Sequence, residues 1–250
     1  MWHECEGGRG SCEMASCLRK YLKALPDTVT EVTFFSDRCG GQNLNKFVAA
    51  MFLSIILEIP HLQTVNLKFL VVGHSEMECD SMHSSIAREQ KRVGKALWPE
   101  DWKTIARSAR RKGDKAYLVH DLNQQDIYDF KKFIDNNMVV RKLDEDNKPV
   151  RWQKICWMSF TKSKPFIMGF KENYDEKDFR FLNFNKKSKR FVNPASTLQL
   201  LYKGPIPISN AKYNNLTSLF TLKPPALVDY YNLPHEKRAR DVVDEEGNSD

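Results

Sequence analysis

The sequence has no run of about 18 uncharged apolar residues, the length a helix needs to cross a bilayer. Its most apolar stretch, Phe47 to Ile59, has the length of one buried helix. The first residues lack the basic start and apolar core of a secretory signal. The six cysteines are too scattered for a dense disulfide framework. These absences exclude a membrane-spanning protein and a disulfide-stabilised secreted domain, so we expect a soluble chain in the nucleus or cytoplasm with no membrane partner.

Several site motifs are missing as well. His3-Glu4 is not followed by the second histidine of a zinc protease, and no two cysteines have the close spacing of a zinc knuckle. The glycine-rich segment from Gly7 to Gly10 lacks the Lys-Ser/Thr ending of a nucleotide-binding loop. The sequence therefore predicts no zinc site and indicates no small-molecule substrate.

Basic residues outnumber acidic residues, which gives a formal net charge of +7. The excess is concentrated between Arg88 and Lys115, where ten basic residues occur with four acidic ones. Such a cluster favours a polyanionic partner, and we expect nucleic acid, with DNA preferred to RNA. A solvated helix face is the alternative interpretation. The candidate nucleic-acid-binding residues are Arg88, Arg92, Arg107, Arg110, Arg111 and Lys112.

Helix and strand patterns alternate over the first hundred residues. Apolar residues at three- and four-residue spacing predict helices, and unbroken runs of β-branched and aromatic residues predict buried strands. The predicted helices cover residues 11–25, 45–59 and 80–97, and the predicted strands cover 29–36 and 65–72. This order predicts an α/β layer with parallel strands and right-handed crossovers.

The pattern changes after the basic stretch. Short strand patterns at 150–160, 166–171 and 179–184 are separated by turn residues, which predicts a small mixed α+β unit. The residues from His235 onward are charged and poor in apolar side chains, which predicts disorder. The predicted domains are an α/β domain at 1–105, a basic linker at 106–115, a mixed or antiparallel β unit at 116–203, a short helical element at 204–234 and a disordered tail at 235–250.

Two acidic residues follow predicted strands. Asp37 comes directly after the first strand, and Asp80 follows the second strand at the start of a helix. Ligands of open α/β sheets collect at the carboxyl ends of parallel strands, where such carboxylates could bind Mg²⁺ or Mn²⁺. Two such ions can activate water and stabilise the leaving oxygen in phosphodiester hydrolysis. The alternative is that both residues only cap helices or stabilise turns.

Two motifs carry a resemblance to a known family. Residues Ser36 to Asn45 read Ser-Asp-Arg-Cys-Gly-Gly-Gln-Asn-Leu-Asn, and Gly73-His74-Ser75 is followed by Cys79-Asp80. These segments resemble the S-D-x-C-G-G-Q-N-x-N and G-H-S or G-H-T motifs of a family of transposon-derived animal proteins. Segments on both sides, from Trp2 to Tyr231, are similar to the family's pattern too. That family resembles DDE-type integrases and transposases.

The resemblance implies a ribonuclease-H-like, three-layer α/β fold for residues 1–105 and metal-dependent cutting or joining of nucleic acid. Asp37 would take the second acidic position of the site and Asp80 the third. Glu76 and Glu78 are alternative ligands for Mg²⁺ or Mn²⁺. The residues that could support such a site are His74, His83, Gln42 and Asn43. The two histidines could transfer protons or bind metal, and ordinary loop hydrogen bonds are their alternative role.

The chain departs from the family pattern in two places. The strand that carries the first acid of a DDE site would precede Met1, and Ile86-Ala87 stands where the family commonly has Ile-Glu. We therefore expect an N-terminally truncated domain that lacks its first strands and is inactive as a nuclease or strand transferase. The alternative is a non-catalytic nuclear protein, domesticated from a transposon, that keeps the fold to bind nucleic acid or other partners. A homo-oligomer is compatible with either interpretation.

Overall fold

A computed structural model describes residues 1–70, 77–110, 116–186, 197–218 and 228–237. Its α-helices in these ranges are α1 (Ser11–Lys23), α2 (Lys46–Glu58), α3 (Glu78–Val93), α4 (Pro99–Ser108), α5 (Phe130–Asn137) and α6 (Asn210–Ser218). Its strands are β1 (Glu31–Ser36), β2 (Thr64–Phe69), β3 (Trp157–Thr161), β4 (Ile167–Lys171), β5 (Arg180–Asn183), β6 (Ile208–Ser209) and β7 (His235–Glu236). The chain is a mixed α/β protein, which confirms the predicted class. No helix in the described ranges is both long and apolar enough to cross a membrane.

Contacts divide the chain into two compact units, each built from segments that are distant in sequence. The helical unit comprises Met1–Gly8, Glu76–Gln124 and Gly204–Val243. The sheet unit comprises Arg9–Ser75 and Gln125–Lys203. The domains predicted from the sequence are consecutive ranges, so this division differs from them. The difference arises because strand pairing joins segments far apart in the chain, which local patterns do not report.

The sheet unit contains a five-stranded sheet in the order β1-β2-β3-β4-β5. β1 and β2 are parallel, with Phe35 beside Lys68, as the order of the predicted elements requires. β3 runs antiparallel to β2, with Trp157 beside Lys68, and β4 and β5 continue the antiparallel part. The strands predicted for a separate second unit therefore extend the first sheet. β1 forms one edge of this sheet.

Helix α2 forms the centre of the hydrophobic core. It begins after Asn45, whose side-chain oxygen accepts hydrogen bonds from the amides of Phe47 and Val48, each at 3.0 Å. Every residue from Val48 to Ile56 is buried, as the apolar pattern all round this helix predicts. α2 contacts β2, β3 and β4 as well as α1 and α5. The sheet is thereby covered by helices on the face where its large apolar side chains lie.

An ion-pair cluster also joins α1 to α2. Arg19 Nη1 lies 2.6 Å from Glu58 Oε2, and Lys23 Nζ lies 2.8 Å from Glu58 Oε1. Burial alone would raise the pKa of Glu58, but hydrogen bonds from the two cations outweigh this effect and hold its pKa below the usual range. The charged form of Glu58 is therefore the form that the fold stabilises.

The helical unit contains α3 and α4, which pack against each other. α3 is followed by Gly94 with a φ of 89°, a conformation that glycine adopts without strain. α4 has Pro99 at its start, where a missing amide proton costs nothing. The helix predicted at 80–97 corresponds to α3, which ends four residues earlier, while α4 is an additional helix that was not predicted, and the predicted linker at 106–115 begins inside α4.

The last described residues also differ from the prediction. β6 and β7 pair in parallel, with Ile208 beside His235 and Ser209 beside Glu236. The sequence predicted a short helical element at 204–234, within which α6 lies, and disorder from residue 235, whereas residues 235–236 form a strand. Paired strands are held by hydrogen bonds between their backbones, so charged side chains do not prevent β7 from pairing with β6.

Candidate functional site

Asp37 lies at the carboxyl end of β1 with its side chain exposed. Asn43 Nδ2 donates to Asp37 Oδ1 at 2.8 Å, and Ser36 Oγ donates to the same oxygen at 3.3 Å. These bonds fix the direction of the carboxylate. The predicted site residues Asp37 and Asn43 are therefore in direct contact in the sheet unit.

The rest of this motif builds the loop that holds Asn43. The carbonyl of Cys39 accepts hydrogen bonds from the amides of Gln42 at 3.2 Å and Asn43 at 2.7 Å. Asn45 donates to the carbonyl of Gly40 at 3.2 Å and also caps α2. Two of the four predicted supporting residues lie in this loop: Asn43 contacts the carboxylate through its side chain, while Gln42 shapes the loop through its backbone.

Asp80 lies in the helical unit, in the first turn of α3. Its Oδ2 atom accepts a hydrogen bond from the amide of Met77 at 2.9 Å, which satisfies one of the open donors at this helix end. Glu78 and His83 lie on the same helix and are exposed. His74 and Glu76 lie outside the described residues. Asp80 therefore has the capping role that was the alternative to metal binding, and the shared crevice of Asp37 and Asp80 stays a prediction.

The described residues do not by themselves make a metal centre. Asp37 supplies one carboxylate, with amide and hydroxyl groups beside it, whereas Mg²⁺ needs near-octahedral oxygen coordination. Within the described ranges, no group of three or more His, Cys, Asp or Glu side chains could hold a metal ion. Binding of Mg²⁺ or Mn²⁺ stays a prediction, and no reaction step through a metal follows from these residues.

Three of the predicted nucleic-acid-binding residues line one pocket between α3 and α4. This arginine pocket has a volume of about 580 Å³, and its lining residues are Ser85, Arg88, Glu89, Arg92, Ala109, Arg110 and Tyr117. α3 supplies two arginines on successive turns, and Arg110 follows the end of α4. The close packing of these two helices brings together charges that are about 20 residues apart in sequence.

The charges of the arginine pocket are unevenly paired. Glu89 is 4% exposed and forms a two-point contact with Arg92, at 2.6 Å to Nη2 and 3.1 Å to Nε. This contact raises the pKa of Arg92. Arg88 Nη2 donates to Ser85 Oγ at 3.2 Å, and the Arg110 guanidinium lies 5.9 Å from the centre of the Tyr117 ring. The described lining residues carry three guanidinium groups and one carboxylate, which is an excess of two positive charges.

Of the remaining basic candidates, only Arg107 is among the described residues, and it does not line this pocket. Arg107 is exposed on α4, and Arg111 and Lys112 lie outside the described residues. Tyr117 was not predicted as a site residue; it follows the basic stretch and places an aromatic ring near Arg110. Alternation of arginine and aromatic residues is the signal that could have identified it.

A family model places the chain among known sequences. The domain of unknown function DUF7869 matches residues 13–175. The matched range includes Asp37, Asp80 and all residues of the arginine pocket. No curated protein and no solved structure matches the chain.

Proposed function

This chain belongs to the DUF7869 family. We propose that its arginine pocket binds the phosphate backbone of nucleic acid. The observation that carries the proposal is the convergence of Arg88, Arg92 and Arg110 around one pocket, whose described lining residues include one carboxylate. Guanidinium groups match the oxygens of a phosphate with two parallel hydrogen bonds. The predicted basic surface is thereby supported as a phosphate site rather than a solvated helix face.

The pocket arginines have different roles in this proposal. Arg92 is held by Glu89, so its main effect is to neutralise a buried carboxylate. Arg88 is exposed and contacts only a neutral hydroxyl among the groups described above, and Arg110 is exposed beside an aromatic ring. Arg88 and Arg110 are therefore the side chains that we expect to contact phosphates directly. Contacts of this kind attach the protein to DNA without selecting a base sequence.

The test is the salt dependence of DNA binding by the double variant Arg88→Gln, Arg110→Gln. Each lost phosphate contact removes about 0.9 from the slope of log affinity against log salt, so the slope should fall by about 2. Fluorescence anisotropy with a labelled duplex measures both affinity and slope. The matched control is Lys131→Gln, Lys132→Gln, which removes two exposed charges on α5 of the sheet unit. An unchanged slope in the arginine variant contradicts the proposal, and so does an equal decrease of the slope in the lysine control.

A second candidate function is the DDE-type phosphodiester chemistry that the sequence motifs imply. It is supported by Asp37, an exposed carboxylate oriented by Asn43 at the carboxyl end of a parallel strand pair. The edge position of β1 is also compatible with a ribonuclease-H-like sheet, in which a further strand would lie beside it. Asp80, with Glu78 or Glu76 as alternatives, would complete the carboxylate set, with Mg²⁺ or Mn²⁺ as cofactor.

Cleavage of labelled DNA in the presence of Mg²⁺ or Mn²⁺ tests this second candidate. We expect no cleavage by this chain, because its described residues supply too few metal ligands. Cleavage that an Asp37→Asn variant abolishes would instead establish the DDE-type function. DNA binding and DNA cleavage are measured separately, so either proposal can be contradicted without affecting the other.

The origin and location of the chain are further parts of this proposal. The Ser36 to Asn45 motif and the Gly73-His74-Ser75 motif support a transposon-derived origin. A DNA-binding role would place the chain in the nucleus. Imaging of a fluorescent fusion tests the location, and uniform cytoplasmic signal would contradict it.

A further inference from the structure

A second pocket of the helical unit is lined by aromatic side chains. It has a volume of about 560 Å³, within the range of roughly 300–1,000 Å³ that is usual for small-ligand sites. Its aromatic lining consists of Trp2, His3, Trp98, Trp102 and Tyr230. Trp98 is 37% exposed and Trp102 is 41% exposed. Large aromatic surfaces gathered around an open cavity are typical of ligand sites.

The rings of this aromatic pocket form walls at right angles. The ring of Tyr230 lies 6.3 Å from Trp98 with an angle of 88° between the planes. It also lies 6.2 Å from the ring of His3 with an angle of 76°. In an edge-to-face pair the edge of one ring contacts the face of the other, so the pair covers one face and leaves the opposite ring faces uncovered by that contact.

The indole N–H groups are largely committed to the protein. Trp2 Nε1 donates to the carbonyl of Gly8 at 2.9 Å, and Trp98 Nε1 donates to Asp101 Oδ1 at 3.0 Å. These two indoles therefore offer ring surfaces rather than hydrogen-bond donors. Burial raises the pKa of Tyr230 to about 12, which keeps its phenol neutral. A ligand that needs hydrogen-bond donors, such as a carboxylate or phosphate, finds little support from these two indoles.

Acidic side chains dominate the charged part of the lining. Glu6, Glu100 and Asp121 contribute three carboxylates, against two ammonium groups, that of Lys103 and the N-terminal one of Met1. Lys103 contacts Glu100 and lies 2.6 Å from Asp121, so its charge is already balanced within the wall. Glu6 is held by the amide of Gln124 at 3.0 Å. The lining side chains thus carry a negative excess, which favours a cationic ligand and disfavours an anion.

We propose that this aromatic pocket binds an organic cation with a methylated ammonium group. Ring faces attract such a cation through their quadrupole, and the carboxylates add a longer-range attraction. Methyl groups replace the hydrogen-bond donors of an ammonium group. A methylated cation therefore gives up no hydrogen bonds to water when it moves against an apolar wall. Free choline-like molecules and the methylated lysine side chain of a protein share this chemistry. The site is independent of the arginine pocket, and its ligand has the opposite charge.

The first experiment compares two ligands of the same shape and different charge. Tryptophan fluorescence of the full chain is titrated with choline and with its neutral carbon analogue, 3,3-dimethylbutan-1-ol. Cation–π attraction should make choline bind about tenfold more tightly than the neutral analogue. A second comparison uses peptides with trimethyllysine or unmodified lysine. Preference for choline alone identifies a free small cation, and preference for the trimethylated peptide identifies a protein partner. Equal binding of charged and neutral ligands, or no binding of any methylated cation, overturns the proposal.

Variants of Trp102 test the role of the rings. Trp102→Phe keeps an aromatic face with a weaker quadrupole, and Trp102→Ala removes it. We expect choline affinity to fall in the order Trp, Phe, Ala, by about tenfold between the first and the last. Glu6→Gln should weaken choline binding and leave binding of the neutral analogue unchanged. Circular dichroism verifies that each variant folds, and an unaltered choline affinity in folded Trp102→Ala contradicts the proposal.

Discussion

Replacement of Asp80 distinguishes a capping role from a metal-binding role. In the structure its carboxylate accepts the amide of Met77 at 2.9 Å in the first turn of α3. Asp80→Ala removes this cap, which costs about 0.5–2 kcal/mol, and removes a negative charge at the positive end of the helix, which costs about 0.3–1 kcal/mol. The free energy of unfolding of the helical unit should therefore fall by about 1–3 kcal/mol.

Asp80→Asn is the matched control for this prediction. Its amide oxygen can still accept the Met77 amide, but its charge is gone. The loss in stability should then be limited to the charge effect of about 0.3–1 kcal/mol. Hydrogen exchange measured by mass spectrometry on peptides from α3 reports the stability of this helix separately from the sheet unit. The Met77 amide should exchange about tenfold or more faster in Asp80→Ala, since about 1.4 kcal/mol corresponds to tenfold.

The same measurement with Mn²⁺ provides the decisive comparison. A residue that only caps a helix loses the same stability with and without the metal. A metal ligand behaves differently, because a ligand at a hundred times its Kd stabilises the native protein by about 2.7 kcal/mol. If Mn²⁺ protects α3 in the original chain and not in Asp80→Asn, the carboxylate binds metal and our capping argument is refuted.

Two further predictions concern the sheet unit. Asn45→Ala should lower its free energy of unfolding by about 0.5–2 kcal/mol, because two amides of α2 lose their cap, while Asn45→Asp should restore most of the loss. Urea denaturation followed by tryptophan fluorescence measures both variants, and equal stability of Ala and Asp would contradict the capping role. Glu58→Gln should destabilise the unit by about 1–3 kcal/mol at neutral pH. Because the folded pKa of Glu58 is lowered, its contribution is present above the unfolded pKa and is lost as pH falls through the folded pKa. The difference between Glu58→Gln and the original chain should therefore disappear in acid, and a difference that persists at low pH would contradict this assignment.

The elements of the first seventy residues could be predicted closely from the sequence. α1, β1 and α2 lie within about two residues of their predicted bounds, because periodicity, caps and proline stops are local signals. The parallel pairing of β1 and β2 follows from the helix between them. The contact of Asp37 with Asn43 could also be predicted from the sequence, since both residues belong to one short motif.

The longer-range features could not be predicted in this way. The pairing of β2 with β3 depends on two segments that no local pattern links. The arginine pocket requires α4, which was missed although Pro99 and Asp101 are a start signal for a helix. The aromatic pocket combines residues near positions 3, 100, 121 and 230, so only the folded chain brings its rings together.

The strand order of the sheet has a consequence for the synthesis of this protein. β1, α2 and β2 leave the ribosome well before β3, which begins only at Trp157. At roughly 5–20 residues per second, the ~90 residues between β2 and β3 take about 5–18 seconds to make. During that time Val65 and Leu67, which are buried in the finished sheet, belong to a strand with an open edge. Such an edge can pair with other nascent chains. The yield of folded protein in the cell should therefore depend on translation speed and chaperones as well as on the stability of the finished sheet.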